Sequence, residues 1–510
     1  MKKIILTLFL LLFVSQVNAA TVWINDSRAQ FQNNSLVILG VNIRTFNAKD
    51  TNKNGVIDFK FGEERGNFIN AIDRLDELAM QGVNAIHLLP ITPVGKIKAN
   101  GTAGSLFAMA SFDEINPQLA SKHSKLSVKD QAKRFIDEAH KRKIRVFIDM
   151  PSCGAYDLYL KNNLLFMTDA FGAPVVPADW TDVRMFDAGK NGRININLLD
   201  QYKLFTDMVL ELGADGIVAS NASIKPSDFW SNLINYVRIK NPQFLFLAQA
   251  TDAELPLGGK IPYTSFDNLL SAGFDGYFAG YGRFPEWKNA DELYKHVKFN
   301  QNLFSKYKLI KSSIGSFATY DSVSPVLTNG AQYSSMIAWL NATLPLNSYF
   351  MDGFQSGDDY MYPWANQKAK VSFTDDEFYF VGRGKFDIYN FSRKPGGDNG
   401  DILQNFILAN KFKYMLNQTM PDSNFVPLSA NSPNVFAFAR SNGKNAVIVV
   451  GNMDFESMQN VKISVPHLSE RVSIVPVKIS DIPEIQRNRI HSILAPGEVQ
   501  VLLAKDFSIK

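Results

Sequence analysis

Short segments rich in apolar, β-branched and aromatic residues alternate with amphipathic helical segments through most of the chain. Leu36–Ile43, Arg145–Met150 and Phe244–Ala248 are predicted strands, and Phe68–Gln81 and Val128–Lys143 are predicted helices. Nearly continuous apolar strands separated by helices indicate a parallel sheet covered on both faces. Further strands are predicted at Asn84–Pro90, Gly216–Ser220, Gly273–Phe278, Leu309–Phe317 and Ser348–Met351. About eight such units predict an α/β fold, a (β/α)8 TIM barrel.

The pattern changes in two places, which suggests domain boundaries. An irregular stretch at about 151–197 interrupts the alternation after the third strand. From about Asn424, segments such as Val435–Arg440 and Ala446–Val450 alternate like antiparallel strands joined by turns. A chain of 510 residues is also too long for one ordinary core. We therefore expect a barrel over 20–423, with a small inserted domain at 151–197, and a C-terminal β-sandwich over 424–510.

The N-terminal residues 1–19 have the pattern of a secretory signal peptide. Lys2 and Lys3 precede an apolar run from Ile4 to Val14, and a small-residue cleavage site ends at Ala19. The run is too short to span a membrane, and no second segment is long enough. Because an exported chain with a single cysteine, Cys153, forms no internal disulfide, its core must stabilise it. We expect a secreted or periplasmic bacterial protein.

The net charge and one short loop bear on possible ligands. A formal charge of +4 is too small to indicate nucleic acid or an anionic membrane as partner. The segment Asp50–Asp58 has oxygen-bearing side chains at positions 50, 52, 54 and 58 and a glycine at 55. This spacing suits a Ca²⁺ loop, although an exposed polar turn has a similar composition. An EF-hand is excluded because Phe61 stands where its bidentate glutamate is needed.

Taken in order, these segments resemble the α-amylase family, glycoside hydrolase family 13. The family has a calcium loop, then a helix and a strand ending in proline, then a glycine-serine block and an asparagine-proline pair. The corresponding segments here are Asp50–Asp58, Ile69–Leu78, Gly82–Pro90, Gly104–Phe107 and Ile115–Pro117, with Asp137–Arg142 and Leu494–Val499 matching later blocks. The resemblance covers nearly the whole chain after residue 19.

The resemblance implies a structural Ca²⁺ ion in the first of these segments. Its ligands would be the side chains and one carbonyl of Asp50, Asn52, Asn54, Val56 and Asp58. Asn54 replaces the usual aspartate, and the loss of a carboxylate is expected to weaken calcium affinity.

The catalytic blocks of the family are degenerate in this chain. The third-strand block, D-x-V-x-N-H in the family, keeps only Asp149. The fourth-strand block, G-x-D-G-x-R-x-D, keeps its glycines and first aspartate, so the usual arginine falls on Val218 and the nucleophile on Ser220. The general acid after the fifth strand falls on Gln249, and the N-H-D block after the seventh retains only Asp321.

These substitutions remove the groups that a retaining glycosidase requires. Such an enzyme uses two carboxylates about 5 Å apart, one as nucleophile and one as acid. Ser220 has no base identifiable beside it in the sequence and is a poor nucleophile. A missing general acid alone costs roughly 10²- to 10⁴-fold in rate. The resemblance implies substrate contacts from Asp149, Phe107, Trp180 and Tyr320.

Three hypotheses follow for the function. The first is a catalytically impaired glycosyl hydrolase that still binds an α-glucan or related sugar. The second is an active glycosidase or transglycosylase with a relocated carboxylate, such as Asp252. The third is a scaffold for protein contacts, like the non-enzymatic members of the family in amino-acid transporters. Cys153 is expected to be a buried thiol, and His140 a surface residue of a helix.

Overall fold

The computed structural model of the protein describes residues 23–49, 51, 59–99, 104–176, 181–250, 263–357, 400–466, 468, 472–475 and 479–505. Eight parallel strands form a closed barrel, which confirms the predicted fold class. Each strand pairs with its neighbours in chain order, and the last pairs with the first, with Val37 opposite Ser348. The barrel strands are Val37–Val41, Ala85–Leu88, Arg145–Met150, Gly216–Ala219, Leu245–Ala248, Gly276–Phe278, Ser312–Gly315 and Asn347–Met351.

Helices surround the barrel, and several begin with a side-chain cap. Ser127, for example, accepts a hydrogen bond from the backbone N–H of Asp130 at the start of its helix. The predicted helix at Phe68–Gln81 consists of two α-helical pieces joined by a 3-10 turn at Ile72–Arg74. The α-helices are Ser27–Gln32, Ile43–Phe46, Phe68–Ala71, Leu75–Met80, Val128–Lys141, Tyr156–Lys161, Ile196–Glu211, Ser227–Lys240, Phe266–Ala272, Ala290–Phe304, Pro325–Thr343 and Gly400–Thr419.

Alternate residues of the strands fill the barrel interior, as the pleat of a strand requires. Most of these side chains are apolar and form one buried cluster, which includes Ile38, Phe147, Val218 and Leu247. Phe31, from the short N-terminal helix, belongs to the same cluster. The intervening strand residues pack outward against the helices in a second, larger cluster. The barrel interior is therefore a packed core, and the few polar side chains inside it need partners.

Two further regions flank the barrel. A three-stranded sheet combines Ala108–Met109 with Cys153–Ala155 and Val183–Met185 from the insert after the third barrel strand. After the last helix, two antiparallel sheets enclose a separate apolar cluster, as a β-sandwich does. Their strands, in sheet order, are Asn424–Pro427, Val435–Ser441, Asn445–Asn452, Val499–Lys505 and Val472–Ile474, and Ser429–Ala430, Gln459–Ser464, Arg489–Leu494 and Glu484–Gln486.

Among the described helices, none has the combination of length and apolar character that a membrane span needs.

Candidate functional site

The carboxyl ends of four barrel strands bring together the residues that the family blocks predict. Asp149 lies near the end of the third strand, and Ser220 and Gln249 directly follow the fourth and fifth strands. Asp321 follows the seventh strand after a short loop. Hydrogen bonds connect these residues in two pairs, Ser220 with Asp149 and Gln249 with Asp321. This end of a TIM barrel is the one at which active sites are found.

Ser220 is bound to a carboxylate inside the barrel. Its Oγ donates to Asp149, at 2.8 Å from Oδ1 and 3.0 Å from Oδ2, and lies 3.3 Å from the hydroxyl of Tyr320. Ser220 is 3% exposed and Asp149 is fully buried. The expectation that no base lies beside Ser220 is therefore wrong. The two residues are 71 positions apart, and only the pairing of the third and fourth strands brings them together.

His87, on the second barrel strand, extends this polar chain across the barrel interior. Its Nε2 lies 3.2 Å from Asp149 Oδ2 and its Nδ1 lies 3.0 Å from the Tyr349 hydroxyl. Gly40 makes room for this arrangement, since a Cβ at that position would lie 2.5 Å from the Tyr349 hydroxyl oxygen. His87 carries no role in the sequence motifs, because its acceptor is 62 residues further along the chain.

Gln249 is fixed at both ends of its amide. Its Nε2 donates to Asp321 Oδ2 at 2.9 Å, and its Oε1 accepts from the backbone N–H of Asn221 at 2.7 Å. Its backbone N–H and carbonyl also bond to Ala219 and Ala222. The amide therefore bridges the strand ends that carry Ser220 and Asp321, and it has no titratable proton to give a leaving group.

Two stacked aromatic rings lie at this end of the barrel, and one of them, Tyr320, directly precedes Asp321 and lies beside Ser220. Phe107 and Tyr320 are stacked with ring centroids 5.6 Å apart. Tyr320 is buried, whereas Phe107 keeps part of its surface exposed. Ser105, two residues before Phe107, donates through its N–H and hydroxyl to Asp182 of the insert, both at 2.8 Å. The insert thus anchors the loop that positions Phe107.

Burial perturbs both carboxylates. Burial raises the pKa of Asp149, and hydrogen bonds from His87 and Ser220 partly oppose that rise. Desolvation and the nearby charge of Asp149 raise the pKa of Asp321 to about 7. Asp321 nevertheless keeps part of its surface open to solvent, so it is the carboxylate of the pair that a ligand could reach.

Val218, where the sequence blocks predict the family's arginine position, is an apolar position in the barrel. Val218 lies opposite Asp149 in the pairing of the third and fourth strands and belongs to the apolar interior cluster. No cation therefore stands at this place to favour an ionised carboxylate at position 220. The valine and the serine are consistent with each other, since neither brings a charge into the packed interior.

Other predicted residues have ordinary surroundings. Cys153 is buried with its Sγ 3.4 Å from Met185 Sδ, and burial raises its pKa to about 12, which favours an inert thiol. The expectation that His140 is a surface residue is wrong. Its ring is stacked on Trp23 with centroids 4.2 Å apart, and its Nε2 lies 2.8 Å from buried Asp215.

Several predicted residues fall outside the part of the chain that the structure describes. They are the calcium ligands Asp50, Asn52, Asn54, Val56 and Asp58, together with Trp180 and Asp252. Within the described ranges there is no group of three or more His, Cys, Asp or Glu side chains that could hold a metal ion.

Sequence comparison gives two partial matches, both named α-1,4-glucan:maltose-1-phosphate maltosyltransferase. The protein from Bifidobacterium animalis subsp. lactis is 26% identical over 210 residues, which are 36% of this chain and 27% of that protein. The protein from Myxococcus xanthus is 24% identical over 204 residues, 37% of this chain and 30% of that protein. The chain thus matches less than a third of the length of either relative. No protein-family model matches the chain.

Solved structures match over almost the whole chain. An α-amylase from Lactobacillus plantarum has a TM-score of 0.66 at 17% identity, with 93% of this chain and 100% of that chain covered. A maltogenic α-amylase from Thermotoga neapolitana has a TM-score of 0.64 at 18% identity, with coverage of 94% and 99%. The chain therefore has the α-amylase fold, and the resemblance to the α-amylase family that its sequence motifs predict is confirmed at the level of the fold.

Proposed function

We propose that this protein binds an α-glucan or a related sugar at the carboxyl ends of its barrel strands and does not catalyse the double displacement of a retaining glycosidase. The observation that carries this proposal is the state of Gln249. The sequence blocks predict the general-acid position at this residue, and both ends of its amide are hydrogen-bonded, to Asp321 and to the backbone of Asn221. A general acid must hold a proton that it can release, and an amide does not.

The nucleophile position supports the same proposal. Ser220 donates its proton to a carboxylate rather than to a histidine, and it is almost fully buried. A serine that attacked the anomeric carbon would form an acetal, whose hydrolysis needs the acid that is missing here. Asp149 is itself fully buried among His87 and Ser220, so it is poorly placed to replace the nucleophile.

The surroundings of Asp321 favour retained binding. Sugar rings bind to proteins through their apolar faces and their hydroxyl groups, so a site needs aromatic surface and polar side chains together. Phe107, Gln249 and Asp321 are each partly exposed, and Tyr320, which is stacked on Phe107, lies 3.3 Å from Ser220 Oγ through its hydroxyl. We propose that these residues contact the sugar, with Asp321 accepting hydrogen bonds from its hydroxyls.

Export is a separate part of the proposal. The N-terminal pattern supports removal of residues 1–19 and a secreted or periplasmic location. Amino-terminal sequencing of the protein recovered from a bacterial periplasm or medium tests this, and we expect the mature chain to begin at Ala20. Recovery of the intact chain from the cytoplasm would contradict it.

Calorimetry and turnover assays on the same preparation test the binding proposal. We expect maltooligosaccharides to bind, with no hydrolysis of these sugars or of aryl α-glucosides. Asp321→Asn should weaken binding, whereas Asp422→Asn, an exposed carboxylate beyond the last barrel helix, should not. Turnover that Asp252→Ala abolishes would instead support a relocated carboxylate, and the absence of both binding and turnover would favour a scaffold for protein contacts.

A further inference from the structure

A buried lysine reaches the nucleophile position through one intermediate side chain. Lys225 follows the fourth barrel strand and is 1% exposed. Its Nζ donates to the Oγ of Ser152 at 2.6 Å, and Ser152 is 2% exposed. The Ser152 hydroxyl in turn donates to the backbone carbonyl of Ser220. Lys225, Ser152 and Ser220 therefore form one connected path to Asp149.

The surroundings of Lys225 offer its charge little compensation. No carboxylate of the described residues forms an ion pair with it. Its titratable neighbours are Cys153 and Tyr202, and the rings of Tyr202 and Trp230 lie 5.4 and 5.5 Å from Nζ. Aromatic faces favour the ammonium form, but only modestly. Because a buried lysine without a carboxylate partner costs stability, its presence here suggests a role other than stabilising the fold.

We propose that Lys225 is a positioning residue, which acts through Ser152 to hold the backbone of Ser220, and with it the N–H of Asn221 that binds Gln249, in the geometry that binds sugar. Lys225 itself does not contact the ligand. This inference rests on the proposed function, since it concerns the same sugar site.

The two protonation states of Lys225 give this path two arrangements. An ammonium group can only donate, so it donates to Ser152 Oγ and leaves the Ser152 proton to the carbonyl of Ser220. A neutral amine can also accept, so the Ser152 proton can turn to Nζ and release that carbonyl. The ammonium form therefore fixes the backbone of Ser220, whereas the amine form allows the Ser152 proton to leave it.

The change between these arrangements is expected near neutral pH, because burial lowers the pKa of Lys225 to about 7. The ammonium form predominates below this pH and the amine above it. Sugar affinity should therefore be higher on the acidic side. Asp321 also titrates near pH 7 and is proposed to touch the ligand, so the pH dependence of the unsubstituted protein alone is not diagnostic.

The ratio of sugar affinities between the unsubstituted protein and Lys225→Met isolates the lysine, because Asp321 is present in both. We expect a ratio of about five below pH 6, the effect of one hydrogen bond, and a ratio near one above pH 8. Ser152→Ala should weaken binding to the same extent, and the double variant should be no weaker than either single variant. Lys311→Met is the matched control, since Lys311 is a buried lysine at the start of the seventh strand with its pKa lowered to about 8.

The outcomes separate this inference from the proposed function. If the unsubstituted protein binds and the ratio stays constant with pH, or Lys311→Met changes the affinity in the same way, only this inference is overturned. If the unsubstituted protein binds none of the sugars, the proposed function fails and this inference fails with it. Lys225→Met should remain folded, since an apolar side chain replaces a buried cation, and urea unfolding at pH 8 verifies that.

Discussion

Ser220 Oγ lies 2.8 Å from Asp149 Oδ1, so the residue at the nucleophile position serves the neighbouring carboxylate as a hydrogen-bond donor. A second carboxylate at position 220 would instead face Asp149 at nearly the same distance. A serine at position 220 avoids that repulsion, and Val218, opposite Asp149 in the strand pairing, brings no cation that would offset it. The side chains around Asp149 therefore form a hydrogen-bonded interior that carries little charge.

Ser220→Ala should destabilise the protein by about 1–3 kcal/mol, because it removes a donor from a buried carboxylate. Urea unfolding of the variant and of the unsubstituted protein measures the difference. Ser480→Ala, at an exposed serine of the C-terminal region, is the control and should change stability little. Equal stability of the two variants would mean that Asp149 does not depend on Ser220.

Asp321 should give the protein a pH-dependent stability between about pH 4 and pH 7. Its pKa is raised from the ordinary 3.8 to about 7, so the folded state binds a proton more tightly than the unfolded state does. The contribution is fully present below the unfolded value and is lost as the pH rises through the folded value. The free energy of unfolding should therefore fall over this window relative to that of Asp321→Asn. Parallel pH profiles of the two proteins would contradict the assignment.

Local pattern was enough to predict the barrel. Asp215, in the block of the fourth strand, shows one reason. Its carboxylate accepts hydrogen bonds from Trp23, at 2.7 Å, and from the backbone N–H of Val146, at 2.8 Å. Asp215 joins the N-terminal segment to the third barrel strand. The fold itself therefore requires this residue, whether or not the protein has glycosidase activity.

Contacts between distant parts of the chain could not be predicted in this way. The partner of His87 is 62 residues away, that of Lys225 is 73 residues away and that of His140 is 75 residues away. The residues next to each of these side chains in the sequence do not distinguish it from an exposed side chain without a functional role. Only closure of the barrel, which brings consecutive strands side by side, determines what they contact.

Lys413→Met should cost about 1–3 kcal/mol, since it removes a donor from two buried carbonyl groups, of which that of Asn341 keeps the hydroxyl of Ser348. Lys413 Nζ donates to the carbonyls of Asn341 and Leu346, at 3.0 and 2.7 Å, next to the end of the helix Pro325–Thr343. Lys411→Met, at an exposed site of the same helix as Lys413, is the control for urea unfolding. A similar cost for both variants would exclude this role.

A chelator should lower the melting temperature if the loop Asp50–Asp58 binds structural Ca²⁺, as we propose. The described residues on the two sides of the loop are hydrogen-bonded to each other. Lys49 and Glu64 exchange backbone hydrogen bonds of 2.7 and 3.1 Å, and Glu63 accepts from the N–H and hydroxyl of Thr51, both at 3.0 Å. Added Ca²⁺ should restore the melting temperature, and Asp58→Asn should reduce the response. An unchanged melting temperature in the presence of chelator would contradict a structural Ca²⁺ ion in this loop.

Ser220→Asp tests whether charge at this position is now incompatible with the barrel interior. The new carboxylate would lie close to Asp149 with no arginine nearby, so the two should share a proton and raise one pKa strongly. A raised folded pKa means that stability is present at low pH and is lost as the pH rises through it. Each unit of that rise costs about 1.4 kcal/mol at higher pH.

Ser220→Asn is the matched control for this last prediction, because it has nearly the same size and no charge. We expect Ser220→Asp to resemble Ser220→Asn in urea unfolding near pH 5 and to be clearly less stable at pH 8. If both variants have the same stability at pH 8, the interior tolerates the charge. The serine would then not be needed to avoid repulsion with Asp149, and its hydroxyl would contribute only its hydrogen bonds with that carboxylate and with Tyr320.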